Sequence, residues 1–370
     1  MKLTDFEVER YFAKHEFTAK YMLSSSDCDG YEMSYVLNLA SAEEKYSWDN
    51  LKLGYTETVG SEPLRQAISQ HFSTIQTDEI VVSSPGEANF ILMNVLLNAG
   101  DHVVCMSPMY QSLYQVAKDL GCSVSFWKPT IDNNQWQYDP SDLKQLIQPN
   151  TKLIVLNFPH NPTGFSPTLS EYYEIIDIAR ERGITIFSDE MYRFLHHTED
   201  TNLPSVSDVY ENGISLWGTA KTFGLGGLRL GWLTSKNKTL LKKVESFKDY
   251  LSICNSATSE ILGTIALNNM EHFVKPNLEK IKRNMQNFEQ FHQRNAHFFD
   301  YYKPNSGSMA FIKLNINETA MNFANRLVQD TGIMLLPSET FEYGTAHARI
   351  GFGRQNMPEV LDVLEAYINR

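Results

Sequence analysis

From Glu79 onward the chain alternates short β-type runs with helical patterns, and this alternation restricts the fold more than any other feature. The runs are Ile80–Val82, His102–Met106, Ser123–Trp127, Lys152–Asn157, Ile184–Ser188, Gly213–Trp217 and Arg229–Thr234. Helical patterns fill most of the gaps: Glu87–Asn98, Gln111–Leu120, Asp142–Ile147 and Leu169–Arg182, the last opened by Thr168 and Glu171 as a capping box. Strands separated by helices form a mostly parallel sheet with helices on both faces. The expected fold class is therefore α/β with a mostly parallel seven-stranded sheet. The final run follows its predecessor with no room for a crossover helix, so that strand is expected to be antiparallel.

The flanks read differently. Asp5–Lys20 is an amphipathic helix, Ser24–Gly30 breaks it, and Tyr31–Trp48 reads as a second helix. Lys236–Phe299 is mostly helical, with an interruption expected around Pro276. From Met309 the pattern is strand, helix, strand. The expected organisation is a large domain over 49–270 and a smaller α+β domain over 271–370, which the N-terminal segment 1–48 joins.

The formal net charge of −12 over 370 residues lacks the basic footprint of a nucleic-acid-binding surface. No apolar stretch is long enough to span a membrane, and the charged start does not read as a signal peptide. The four cysteines form no C-x-x-C pair, so a cytoplasmic location and no metal are expected. Adjacent histidines rarely converge on one ion, and His196–His197 reads as a solvated loop.

Between the last two runs lies W-G-T-A-K-T-F-G-L-G-G-L-R-L-G-W, Trp217–Trp232. Its glycines let backbone approach a ligand closely. A lysine held there, Lys221, can lose its charge by desolvation and act as a nucleophilic amine. That chemistry suits Schiff-base formation with an aldehyde, above all pyridoxal 5′-phosphate (PLP). Arg229 suits a phosphate. Other candidates fall at strand ends, where ligands bind in open α/β sheets. The turn Ser84, Pro85, Gly86 opens a helix and can hold phosphate through the backbone N–H groups of Ser84, Gly86 or Glu87 and through hydroxyls, though Pro85 has no N–H to give. Tyr110 follows the second run, Asn161 the fourth, Asp189 and Tyr192 the fifth. An aspartate ending an apolar strand needs a partner, and a pyridinium nitrogen would be one.

In order and spacing these residues resemble the class I/II aminotransferases of fold type I, across nearly the whole chain. H-N-P-T-G, His160–Gly164, is the most specific string. The resemblance implies that Lys221 holds PLP as an imine, with Tyr110 stacked on the ring. It also implies that Asn161 and Tyr192 bind the ring 3′-oxygen, and that Asp189 binds the ring nitrogen. Asn161 lies near the substrate carboxylate, which Arg349, in A-R-I-G-F-G, clamps. Within G-Y-T-E-T-V-G, Gly54–Gly60, Tyr55 would reach the phosphate of the other subunit of a homodimer. Serines common in the family three residues before the lysine and immediately before it are here Gly218 and Ala220, with Thr219 between as a possible phosphate contact. The implied reaction moves an amino group between an amino acid and a 2-oxo acid. A lyase resembling cystathionine β-lyases, or a cyclase resembling capreomycidine synthase, would use the same residues. A transcription regulator of this fold would need a DNA-binding head, for which there is no room before Tyr55.

Overall fold

The computed structural model describes residues 2–370. Helix α1 (Glu7–His15) leads to strand β1 (Tyr21–Met22) and helices α2 (Met33–Asn38), α3 (Ala42–Asp49) and α4 (Glu62–Ser69). The alternating region runs β2 (Ile80–Ser83), α5 (Pro85–Leu96), β3 (His102–Met106), α6 (Ser112–Asp119) and β4 (Ser123–Trp127). After the hairpin β5 (Thr130–Asp132) and β6 (Gln135–Gln137) come α7 (Pro140–Leu146), β7 (Thr151–Asn157), α8 (Leu169–Arg182) and β8 (Thr185–Asp189). Helix α9 (Val206–Val209), β9 (Gly213–Gly218) and β10 (Gly231–Ser235) complete it. Then follow helices α10 (Lys238–Lys248), α11 (Ala257–Asn268) and α12 (Glu271–Arg294), and strands β11 (Phe299–Asp300) and β12 (Met309–Leu314). The chain ends with α13 (Ala320–Thr331), β13 (Ile333–Met334), β14 (Leu336–Pro337), β15 (His347–Gly351) and α14 (Met357–Ile368).

The seven predicted runs form one sheet of seven strands in the order β2-β10-β9-β8-β7-β3-β4. Strand β10 is antiparallel to both its neighbours, as its short connection requires, and the other pairs are parallel. Successive side chains point to opposite faces. Val81, Leu216 and Leu233 enter one core with residues of α5 and α8, while Val82, Trp217 and Trp232 enter another with residues of α4 and α11. Both faces are thus buried, and full burial of one such large apolar side chain stabilises by roughly 1.5–3 kcal/mol. The polar residues at strand ends are left for other work. Parallel register sets Asn157 level with Asp189, and Asp189 level with Leu216.

A second sheet, β11-β12-β15-β14, is antiparallel throughout. The N-terminal segment is tied to this part of the chain. Strand β1 pairs with β13, and Leu23 O accepts from Gly351 N at 2.7 Å. A Cβ on Gly351 would lie 1.7 Å from Ser25 O, so this close approach requires glycine.

Four expectations are corrected here. Tyr31–Trp48 is two helices, because Ser41 and Glu44 form a capping box that starts α3. Pro276 does not interrupt its helix. It frees the carbonyl of His272, one turn earlier, and the Tyr35 hydroxyl donates to that oxygen at 3.1 Å. The last sheet strand starts at Gly231, because Arg229 has φ 51°, in the left-handed region. His196–His197 is not a solvated loop. The His197 ring bonds Gly307 O at 2.8 Å and Pro304 O at 3.3 Å, and His196 bridges Ser306. Among the described residues, no cluster of histidine, cysteine and carboxylate side chains could hold a metal, and no helix is long and apolar enough to cross a membrane.

Candidate active site

A chain of hydrogen bonds crosses the carboxyl edge of the large sheet. Asn157 Nδ2 donates to Asp189 O at 2.8 Å, and Asn157 Oδ1 accepts from Asn161 N at 2.8 Å. Asn161 Oδ1 accepts from Arg349 Nη1 at 2.9 Å. Arg349 Nε and Nη2 both donate to Ser24 O, at 3.1 and 2.9 Å. One run of contacts therefore links β8, β7, β15 and the N-terminal segment.

Two groups in this region are buried ions without a counter-ion. Asp189 is buried, and its Oδ1 accepts only the N–H of Met191, at 3.0 Å. Burial pushes its carboxyl up to about 7; the Met191 bond and the Lys221 charge oppose this, and Glu190 adds to it. Arg349 is 2% exposed, and its three bonds all go to neutral oxygens. Burial pulls its pKa down, while Tyr192, Asp27, Tyr110 and Glu9 oppose that pull. A guanidinium has five N–H donors, so two remain for an anion.

Lys221 is half-buried, and its Nζ donates to Ser26 Oγ at 3.0 Å. Tyr192 is buried. Tyr110 is capped by α1: its hydroxyl donates to Glu9 Oε1 at 2.5 Å, and its ring lies 4.8 Å from that of Phe6. Helix α5 starts at Pro85 with Ser84 as N-cap, so the first-turn N–H groups of Gly86 and Glu87 have no partner within the helix. Gly86 is exposed, with nothing within 4 Å of where a Cβ would lie. Arg229 is exposed, with Nη1 on Gly226 O at 3.1 Å. Thr219 is fully buried, and its hydroxyl donates to Leu230 O and Leu225 O, at 3.2 and 3.4 Å, inside the loop. Tyr55 is 90% exposed, displayed on a loop whose Thr56 hydroxyl bonds Asn255 O at 3.1 Å.

The aminotransferase class I and II family model matches residues 19–364. The chain belongs to this family. It is similar to an aspartate aminotransferase of Sulfurisphaera tokodaii, 27% identical over 347 residues, covering 86% of this chain and 85% of the relative. It is also similar to the capreomycidine synthase of Streptomyces vinaceus, 26% identical over 353 residues, covering 95% and 88%. A crystal structure of a PLP-dependent aminotransferase from Streptococcus suis superposes with a TM-score of 0.93 at 28% identity, covering 100% of this chain and 99% of that one.

The residues of this class I/II aminotransferase fit PLP, the cofactor of the family. Asp189 lacks a cationic partner, Lys221 offers an amine, and the start of α5 offers free N–H donors toward open space. Sequence reasoning missed the Ser24–Asp27 strip, which gives Lys221 its hydroxyl partner and Arg349 its carbonyl. A signal was available in A-R-I-G-F-G. Its two glycines, Gly351 and Gly353, are where a Cβ would strike Ser25 O and Asp27 O. Asn157, which orients both Asp189 and Asn161, was read only as a strand end.

The buried carboxyl has a consequence for stability. The Asp189 pKa is raised from 3.8 to about 7, so the folded, cofactor-free protein binds more protons than the unfolded chain between those values. Its stability should therefore fall as pH rises through that window, by on the order of 4 kcal/mol from this group. Asp189→Asn should flatten the dependence and stabilise the cofactor-free protein at pH 8. Urea midpoints at pH 5 and pH 8 read this directly; the same slope in wild type and variant would contradict it.

Proposed function

We propose that Lys221 carries the cofactor of an amino acid:2-oxo acid aminotransferase and moves the substrate α-proton. The supporting observation is the pair of uncompensated buried charges, Asp189 and Arg349, in the region of Lys221. Asp189 would pair with the ring nitrogen of PLP, and Arg349 with the carboxylate of an amino acid. When bound, the cofactor supplies an electron sink for charge developing at the substrate α-carbon. In this reading Asp189 would keep the ring nitrogen protonated. Asn161 and Tyr192 would bond the ring 3′-oxygen, and Tyr110 would cover the ring face. The N–H groups of Gly86 and Glu87, with Ser84 and Arg229, would hold the phosphate, while Pro85 fixes the start of the helix. Arg349 clamps the α-carboxylate with its two spare donors. The amine of Lys221 would take the proton from the substrate Cα as general base and give a proton back as general acid. Amino acid and 2-oxo acid bind in turn. The capreomycidine synthase relative motivates a second reading, ring closure with the same residues; it predicts consumption of amino acid without any 2-oxo acid acceptor.

In the same reading the chain divides into a large domain over 49–270 and a smaller one over 271–370 joined by 1–48. The location is the cytoplasm, in keeping with four free cysteines. The active unit is a homodimer. Tyr55 stands exposed beside other exposed apolar residues, Leu53, Tyr250, Leu251 and Ile253, a surface suited to a two-fold partner. Tyr55 would give its hydroxyl to the phosphate across that interface, where Gly218, Ala220 and the inward-turned Thr219 give little.

Borohydride reduction of the yellow protein should fix the cofactor to Lys221, as read by peptide mass mapping. Attachment to another lysine, or to none, would refute the assignment. Shared sites predict complementation. Chains carrying Tyr55→Ala and Lys221→Ala, each weak alone, should regain activity in mixed dimers, where one site holds both intact residues. Confirmed mixed dimers without recovery would contradict the shared-site arrangement.

A further inference from the structure

Helix α1 lies over the proposed substrate position with two distinct faces. Val8, Tyr11 and His15 are buried and anchor it. Glu9, Phe12 and Glu16, spaced by three and four residues, share the neighbouring stripe. Glu9 holds the hydroxyl of Tyr110, and the Phe12 ring centroid lies 5.8 Å from Arg349 Cζ. Glu16 caps the helix C-terminus, and the charges that act on it are Asp27, Glu9, Lys221 and Arg354. Glu9 and Phe12 of this stripe therefore border Tyr110 and Arg349, and Glu16 ends the same stripe one turn on.

The charge balance of this border is one-sided. Arg354 is engaged by Asp27 at 3.1 Å and by Asp29 at 3.7 Å, and Lys280 is engaged by Asp29 at 2.8 Å. Arg349 is committed to the α-carboxylate, and Lys221 to the cofactor, in the function proposed above. Among the described residues neither Glu9 nor Glu16 has a lysine or arginine in ion-pair contact. A substrate with a second carboxylate would meet two carboxylates that have no lysine or arginine partner. A substrate ending in an ammonium or guanidinium would complete the charge pairing.

We propose that Glu9 and Glu16 are specificity-determining residues that select an amino acid with a cationic side chain. The inference rests on the site assignment above, and its test separates the two. Exchange of the α-proton into deuterated water reads turnover at Cα whether the product is a 2-oxo acid or a ring. The cofactor-loaded protein should exchange arginine or ornithine with higher kcat/KM than aspartate or glutamate. Glu16→Gln, at an exposed position that should not disturb folding, should lower the arginine-to-alanine ratio of kcat/KM about tenfold. Binding alone can be read with substrates lacking the amino group. 5-Guanidinopentanoate should raise the melting temperature of the loaded protein more than glutarate does, and Glu16→Gln should narrow the difference. Fastest exchange with aspartate or glutamate would overturn the specificity while leaving the site assignment standing. So would ratios that neither Glu9→Gln nor Glu16→Gln moves. Exchange with no amino acid at all would overturn the site assignment and this inference together.

Discussion

A single buried guanidinium holds the parts of this site in register. Arg349 sits mid-strand in β15, level with Phe311 on one side and Leu336 on the other. From there it reaches Ser24 O and Asn161 Oδ1. It gives the N-terminal segment, the small sheet and the edge of the large sheet one common polar contact. A desolvated cation bonded only to neutral oxygens is costly. The cost is tolerable where a ligand carboxylate completes the pairing, and the same two spare donors that make the site incomplete make it selective for an anion.

Asp189 presents the same logic with opposite sign. It ends a strand buried on both faces, where a carboxylate is expensive, and burial raises its pKa. Parallel pairing places Asn157 beside it, so one amide holds Asp189 O and the backbone of Asn161 together. The fold thus stores two unfavourable ionisations at one edge, and the zwitterionic ligand with a ring cation proposed above would relieve both. Polar residues that look anomalous by burial alone are what a preorganised site requires.

Much of this was legible from residues alone. Alternating runs gave the sheet, and the short Trp217–Leu230 connection gave the reversed strand, because both follow from local period and loop length. The strand-end residues could be found because the carboxyl edge is where an open sheet binds. What stayed hidden depends on contacts between distant parts of the chain. The three serines before Asp27 look like a helix break until Gly351 and Gly353 are seen to admit their backbone. Pro276 looks like a helix stop until Tyr35 is found on the carbonyl it frees. In both cases a residue hundreds of positions away overrides the local rule.

The central claim, that Arg349 fastens the N-terminal segment onto the site, is tested most directly by hydrogen–deuterium exchange on Arg349→Gln. The account predicts that amides of 5–29, covering α1 and the Ser24–Asp27 strip, exchange at least about tenfold faster than in the wild type, while β7 and β8 keep their protection. Unchanged protection of that segment in a folded Arg349→Gln protein would contradict it.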